Sequence, residues 1–125
     1  MTPLLLDTHA LLWSVGDEEH LSPAAHEALS TGIVPAYVSV ASIWEISIKR
    51  ASGKLDAPEN LLDMVAMARF IELGITFDHA TRAGALPPHH RDPFDRMLVA
   101  QAQSEGFTLV TQDERMRLYD VPVLW

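Results

Sequence analysis

Four carboxylates in this chain stand where a predicted strand or helix begins or ends. Asp7 and Asp113 each close a short apolar run, Glu45 lies one turn into a predicted helix, and Asp95 opens another helix. Four carboxylates brought together would repel one another and raise their own pKa values unless a cation lay among them. Carboxylate oxygens, together with water, are ligands that suit Mg²⁺ or Mn²⁺. The residue types therefore predict a divalent-cation site, on the condition that the fold brings the four positions together.

The elements that must position these carboxylates alternate between strand and helix. Apolar and alternating runs predict five strands, at residues 3–7, 35–40, 75–77, 107–113 and 121–125. Amphipathic periodicity and end signals predict a short helix after Asp7 and further helices at 22–31, 42–53, 58–74, part of 79–90, and 94–106. This alternation predicts βαβ units, and hence a three-layer α/β/α fold around a central parallel β-sheet.

The connections of such a sheet decide where the carboxylates lie. Right-handed crossovers place the carboxyl ends of all parallel strands along one edge, and open α/β sheets bind their ligands at that edge. Asp7, Glu45, Asp95 and Asp113 all map to it. The sequence therefore predicts that these four residues form one site, although they are far apart in the chain.

Each of these carboxylates also has a purely structural interpretation. Asp7 could cap the helix that follows it, and Asp113 could cap the next turn. Glu45 has Lys49 four residues later, so the two could form a surface ion pair worth a few tenths of a kcal/mol. Such interpretations account for single residues. Four unrelated structural causes meeting at one edge are the less economical explanation.

The segment "HRDPFDR" raises the same question about Asp92 and Asp95. Asp92 precedes Pro93 at the predicted first helical position, and Asp95 stands at the third, which resembles a capping box. We assign the capping role to Asp92. Asp95 fits a box less well, because aspartate is shorter than the glutamate or glutamine that this position prefers.

Composition limits the class of protein. With 125 residues, 48% of them hydrophobic, the chain is expected to form a single domain over residues 1–125. No apolar run is long enough to span a membrane, the first residues lack the pattern of a signal peptide, and the absence of cysteine fits a cytoplasmic location. The formal charge of −8 argues against nucleic-acid binding, unless part of it is concentrated in a pocket that binds cations.

Four motifs together resemble a known family. "LLLDTHALLW", "VSVASIWEISIK", "HRDPFDRMLVAQA" and "LVTQD" resemble the successive motifs of PIN-domain ribonucleases, and more specifically those of VapC toxins from VapBC toxin–antitoxin pairs. The resemblance runs from Leu4 to Trp125 and implies a PIN-like fold. It also implies that the catalytic, metal-binding acids are Asp7, Glu45, Asp95 and Asp113. Asp92 and Thr111 would support them as neighbours of the metal ligands.

The resemblance further implies an activity and partners. We expect a Mg²⁺- or Mn²⁺-dependent endoribonuclease that cuts an RNA of the tRNA or rRNA class, forms a homodimer, and is inhibited by a cognate VapB-type antitoxin. Lys49, Arg91 and Arg96 are the candidates for guiding the RNA, although each could equally be a solvated or ion-paired side chain. The alternative is a PIN-fold module that binds RNA or protein without significant catalysis.

Two other residue types receive structural interpretations. The six histidines do not predict a zinc site, because the adjacent pair His89 and His90 lacks the spacing of helical ligands and no cysteine is present. The aromatic residues Trp13, Trp44 and Phe94 lie at amphipathic positions and are expected in the core.

Overall fold

A parallel five-stranded sheet forms the centre of the protein. The computed structural model describes residues 2–125. In this range the strands are β1 (Leu4–Leu6), β2 (Ala36–Ser39), β3 (Ile71–Leu73), β4 (Thr108–Val110) and β5 (Val123–Leu124). They are arranged in the order β3-β2-β1-β4-β5, and every neighbouring pair is parallel. The predicted α/β class with a central parallel sheet is confirmed.

The helices connect these strands. Within residues 2–125 they are α1 (Thr8–Val15), α2 (Pro23–Thr31), α3 (Val40–Ala51), α4 (Leu61–Met67), α5 (Phe77–Ala85) and α6 (Pro93–Glu105), with short 3₁₀ turns at Glu18–His20 and Met116–Leu118. In that same stretch, no helix combines the length and the apolar character that crossing a membrane requires.

The central strand β1 is buried on both faces and separates two hydrophobic cores. Leu4 and Leu6 pack into one core with residues of α1 and α2, whereas Leu5 packs into the other with Leu98 of α6 and Leu109 of β4. Because successive side chains of a strand point to opposite faces, an unbroken apolar run fits a strand covered on both sides. The two cores correspond to the predicted layers of helices on either face.

Local end signals fix α2 and α6 where the sequence predicts them. The Ser22 side chain accepts a hydrogen bond from the Ala25 N–H, and Pro23 follows at the first helical position. The last turn of α6 ends at Gly106, whose φ of 73° lies in the left-handed region that glycine adopts without strain.

The prediction for residues 58–77 is wrong in two respects. The helix predicted over 58–74 ends at Met67, and the strand is Ile71–Leu73 instead of 75–77. The chain reverses at Arg69, whose φ is 61°, with its N–H bound to Ala66 O and the next N–H bound to Val65 O. These bonds form a Schellman motif with arginine at the position that usually holds glycine. The sequence therefore carried no visible stop signal.

Two smaller expectations are also corrected. Helix α3 begins at Val40, two residues before the predicted start at 42, because the Ser39 side chain caps it by accepting from the Ala41 N–H. Trp44 is not a core residue: it is 61% exposed and forms a T-shaped ring contact with Phe94, with the ring centroids 5.4 Å apart.

Candidate functional site

An open, acidic cavity of about 440 Å³ lies at the carboxyl edge of the sheet. The structure brings Asp7, Glu45, Asp95 and Asp113 together in its lining. Asp7 follows β1, Asp113 follows β4 in a loop, and the other two stand on α3 and α6. This is the arrangement that strand order and crossover geometry predict. The chemical roles of the four carboxylates remain predictions.

Asp7 is buried between α1 and the loop after β4. Its Oδ1 accepts the Ala10 N–H at 2.7 Å and so caps α1, while its Oδ2 accepts the Thr111 hydroxyl at 2.6 Å. Burial raises the pKa of Asp7 above its ordinary value, and these two hydrogen bonds only partly oppose the rise. The capping interpretation is therefore correct, but it does not exclude Asp7 from the site.

Glu45 is also buried, with both of its oxygens bound. The Thr8 hydroxyl donates to Oε1 at 2.6 Å, and the Lys49 ammonium donates to Oε2 at 2.5 Å. The bond to Glu45 raises the pKa of Lys49. The ion pair considered from the sequence does form, but it is not a surface pair, because the Glu45 side chain is only 5% exposed and both residues line the cavity.

Asp92 and Asp95 have different contacts at the start of α6. Asp92 Oδ1 accepts the N–H groups of Phe94 and Asp95 at 2.8 and 3.3 Å, so Asp92 is the cap. Asp95 faces the cavity. Burial, and then the nearby charge of Asp92, raise its pKa to about 7, and Glu45 and Asp7 add to the effect. The cavity therefore holds more negative charge than its own cationic groups compensate.

Asp113 is held by the protein through both oxygens. Its Oδ1 accepts the Arg115 and Met116 N–H groups at 2.7 and 3.3 Å, and its Oδ2 accepts from His90 Nε2 at 3.0 Å. Burial alone would raise the pKa of Asp113, but the hydrogen bonds from His90 and the backbone outweigh it, and the pKa is lowered. Asp113 thus favours the ionised form, in contrast to Asp95.

Thr111 connects two of the carboxylates. It is fully buried, its hydroxyl donates to Asp7, and its oxygen accepts the Asp113 N–H at 3.0 Å. The sequence pointed to Thr111 but missed Thr8 and His90. Thr8 directly follows an acid and His90 opens the "HRDPFDR" segment, yet only the folded loops reveal which carboxylates these residues contact.

Arg96, one of the three basic residues predicted to contact RNA, binds the backbone of the protein itself. Its guanidinium donates to four backbone carbonyl oxygens at 2.9–3.2 Å, those of Ala83, Leu86, Pro87 and His90. These bonds hold the loop between α5 and α6, and Arg96 does not line the cavity. Of the other two basic candidates, Lys49 lines the cavity and Arg91 is exposed.

The donor set of the cavity fits a hard divalent cation. All four predicted ligands are carboxylates, which Mg²⁺ and Mn²⁺ prefer. The raised pKa values of Asp7 and Asp95 show that burial and mutual repulsion oppose their ionisation in the protein alone. A cation in the cavity would relieve this repulsion. Asp95 and Asp113, with His90, each offer one ligand atom within 4.8 Å of the others.

Fold and cavity together define a class: a small α/β domain with a carboxylate site at the carboxyl edge of a parallel sheet. A family model described as the PIN domain matches residues 4–122. Ribonuclease VapC22 of Mycobacterium tuberculosis is 31% identical over 126 residues, covering 98% of this chain and 95% of the relative. The chain therefore belongs to the PIN-domain family, within its VapC group.

Solved structures share the fold at low sequence identity. VapBC2 from Rickettsia felis, bound to a promoter DNA fragment, matches with a TM-score of 0.74 and 13% identity over 98% of both chains. DNA-bound VapBC from Salmonella typhimurium matches with a TM-score of 0.73 and 19% identity over 99% of this chain and 98% of the other. At these identities the likeness concerns the fold alone.

Proposed function

We propose that the chain is a Mg²⁺- or Mn²⁺-dependent endoribonuclease that hydrolyses an RNA phosphodiester and serves as the toxin of a toxin–antitoxin pair. The observation that carries this proposal is the meeting of Asp7, Glu45, Asp95 and Asp113 in one open cavity. A relative that the chain matches over nearly its whole length bears the name ribonuclease VapC22.

The four carboxylates are the groups that we assign to hold the cation. When bound, a divalent cation neutralises clustered negative charge, attracts the scissile phosphate and lowers the pKa of the attacking water. The rest is done by the chain itself. Thr111 and Thr8 hold Asp7 and Glu45 in place through hydroxyl donors, and backbone N–H groups hold Asp113. Groups fixed in this way need little rearrangement when a ligand arrives.

The proposed substrate is RNA despite the net charge of −8. Much of the repulsion would arise from the same acids that hold the cation. Lys49 lines the cavity with its side chain 38% exposed, so its ammonium can reach a phosphate while it is still near Glu45. We assign the guidance of RNA to Lys49 and to the exposed Arg91.

We further propose that the chain forms a homodimer and that a VapB-type antitoxin binds it and blocks the cavity. The similar solved structures from Rickettsia felis and Salmonella typhimurium are of VapBC complexes. An acidic cavity suits a basic side chain offered by such a partner. A second, apolar cavity of about 310 Å³, lined by Val40, Trp44 and Leu62 among others, offers hydrophobic contact to such a partner.

Cleavage of RNA by the purified chain tests the enzymatic part. We expect cleavage with added Mg²⁺ or Mn²⁺, its loss in EDTA, and a decrease of about 100-fold or more in Asp7→Asn and Asp113→Asn. Asp56→Asn is the matched control, since Asp56 is exposed and does not line the cavity. Retained activity in both site variants, with an unchanged need for metal, would remove these residues from the site. Full binding of RNA without any cleavage would favour the binding module instead.

Expression in cells tests the toxin part. Expression of the chain alone should stop growth, and expression together with the product of an adjacent antitoxin-like gene should restore it. Asp113→Asn should be harmless when expressed alone. Growth arrest that persists in that variant would argue that toxicity does not depend on the carboxylate site.

A further inference from the structure

The imidazole of His90 lies beside two of the proposed cation ligands. Its Nε2 is 3.0 Å from Asp113 Oδ2 and 3.1 Å from Asp95 Oδ2, and its side chain is 8% exposed. On the other side of the ring, Nδ1 accepts the Asp92 N–H at 3.2 Å. His90 therefore touches the carboxylate cluster through one nitrogen and the cap of α6 through the other.

These contacts select one tautomer of the ring. A nitrogen that accepts a backbone N–H carries no proton, so Nδ1 is the bare nitrogen and Nε2 bears the hydrogen. That hydrogen points to the carboxylates, where Nε2 donates to Asp113. For Nε2 to coordinate a cation, the hydrogen would have to move to Nδ1, which would then face the Asp92 N–H, donor against donor.

We propose that His90 is a positioning residue that holds Asp113 beside Asp95 through its Nε2–H, and that it is not itself a ligand of the cation. The inference rests on the proposed cation site. An N–H donor placed between two carboxylates offsets part of their repulsion without adding a negative charge. The predicted ligands then stand close together before any cation arrives.

The backbone of His90 is fixed from behind, which gives the ring a defined direction. Its N–H donates to the Tyr119 hydroxyl at 2.9 Å, and its carbonyl oxygen accepts from Arg96 at 3.2 Å. Tyr119 in turn donates to Pro87 O at 2.6 Å. Arg96 and Tyr119 therefore connect the loop between α5 and α6 to the carboxylate site.

The tautomer can be measured directly in the protein without substrate. Long-range ¹H–¹⁵N correlation spectra distinguish a ring protonated at Nε2 from one protonated at Nδ1. We expect the Nε2–H form for His90 both in EDTA and after saturation with Mg²⁺. A Nδ1–H form in either state, or an Nε2 resonance showing direct coordination, would overturn the proposal.

Two substitutions separate positioning from a merely structural role. The amide nitrogen of glutamine reaches the position of Nε2 and can donate to Asp113, whereas the amide oxygen of asparagine reaches that of Nδ1 and can only serve the Asp92 N–H. We expect His90→Gln to bind Mn²⁺ within about threefold of the wild type and His90→Asn to bind about 10-fold or more weakly by calorimetry.

Controls keep the outcome decisive. His89→Asn removes the neighbouring, exposed ring and should bind Mn²⁺ like the wild type. If His90→Asn binds as tightly as His90→Gln, or more tightly, positioning by Nε2–H is refuted. Should either variant fail to fold, the tautomer measurement on the wild type still decides. An Nε2–H ring in a protein that binds Mn²⁺ but cuts no RNA would contradict the proposed function alone, whereas a Nδ1–H ring in an active nuclease would contradict only the role of His90.

Discussion

Replacing Asp95 with asparagine is expected to stabilise the protein in the absence of a divalent cation while abolishing RNA cleavage. Asparagine keeps the shape of the side chain at the start of α6, including an oxygen near His90 Nε2, which lies 3.1 Å from Asp95 Oδ2. It removes a negative charge that burial and the neighbouring Asp92 disfavour. One substitution should therefore separate the stability of the fold from the proposed function of the site.

The magnitude follows from the pKa of Asp95. A rise from the ordinary 3.8 to about 7 corresponds to an upper limit of about 4 kcal/mol for the cost of ionising Asp95 in the folded protein. Two effects reduce the gain. Solvent screens part of the repulsion because the side chain is 18% exposed, and a negative charge in the first turn of a helix stabilises that helix by about 0.3–1 kcal/mol. We expect a net gain of about 1–2 kcal/mol.

The gain in stability from Asp95→Asn should increase with pH. Because the pKa of Asp95 is higher in the folded than in the unfolded protein, protonated Asp95 stabilises the wild type fully below about pH 4, and this contribution is lost as the pH rises through about 7. Urea denaturation in EDTA should show Asp95→Asn more stable than the wild type at about pH 8 and nearly equal to it at about pH 4.

A matched control tests whether loss of charge alone explains the gain. Asp78 also lies in the first turn of a helix, but it is exposed and its hydrogen bond from Ser104 lowers its pKa. Asp78→Asn should therefore bring no gain at any pH. The reasoning is refuted if Asp95→Asn is no more stable than the wild type at about pH 8, or if its gain is the same at both pH values.

Three further predictions concern cation binding, the end of α4 and the loop between α5 and α6. Mn²⁺ at about 100 times its Kd should stabilise the wild type by about 2.7 kcal/mol in thermal unfolding, and should not stabilise Asp7→Asn at that concentration. Arg69→Gly should raise the free energy of unfolding by about 1 kcal/mol, because Arg69 holds a φ of 61° where glycine is unstrained. An unchanged urea midpoint would contradict this. Gly106→Ala, at a position with a φ of 73°, should lower the free energy of unfolding. Arg96→Met should lower the free energy of unfolding by about 2–3 kcal/mol in the same assay, because it leaves backbone carbonyl oxygens unpaired. A change in RNA affinity without a change in stability would instead support a contact of Arg96 with RNA.

The elements that sequence predicts well are those whose end signals are local. The Ser22 and Asp92 side chains accept backbone N–H groups two or three residues later, and the Gly106 N–H donates to Ala102 O four residues earlier. Pro23 and Pro93 favour the first helical position through their fixed φ. The prediction for the segment 58–77 fails because α4 ends at Met67 and the left-handed position after it is held by Arg69, without a glycine or proline. The short strand after it is stabilised by pairing with β2, a contact that no local pattern encodes.

In the candidate site, too, some features can be predicted from sequence and others cannot. The carboxylates could be predicted because strand order alone places the ends of parallel strands at one edge. The groups that hold them depend on how loops fold back. His90 and Asp113 are 23 residues apart, and Thr111 reaches Asp7 across 104 residues. The contacts of Arg96 could not be predicted for the same reason, because the sequence does not distinguish an arginine that binds carbonyl oxygens from one that binds phosphate.

The structural and functional interpretations of the carboxylates prove compatible in the fold. Asp7 and Asp113 each accept backbone N–H groups with one oxygen at the start of a helix or turn, and this contact fixes the direction of the other oxygen. A carboxylate oxygen has more than one lone pair, so an anchored group can still bind a cation. Asparagine also caps helices well, and Asp7→Asn should therefore keep the fold of α1 while it loses the charge. Loss of cation binding in that variant, with an unchanged circular dichroism spectrum, would report on the charge of Asp7 and not on its capping role.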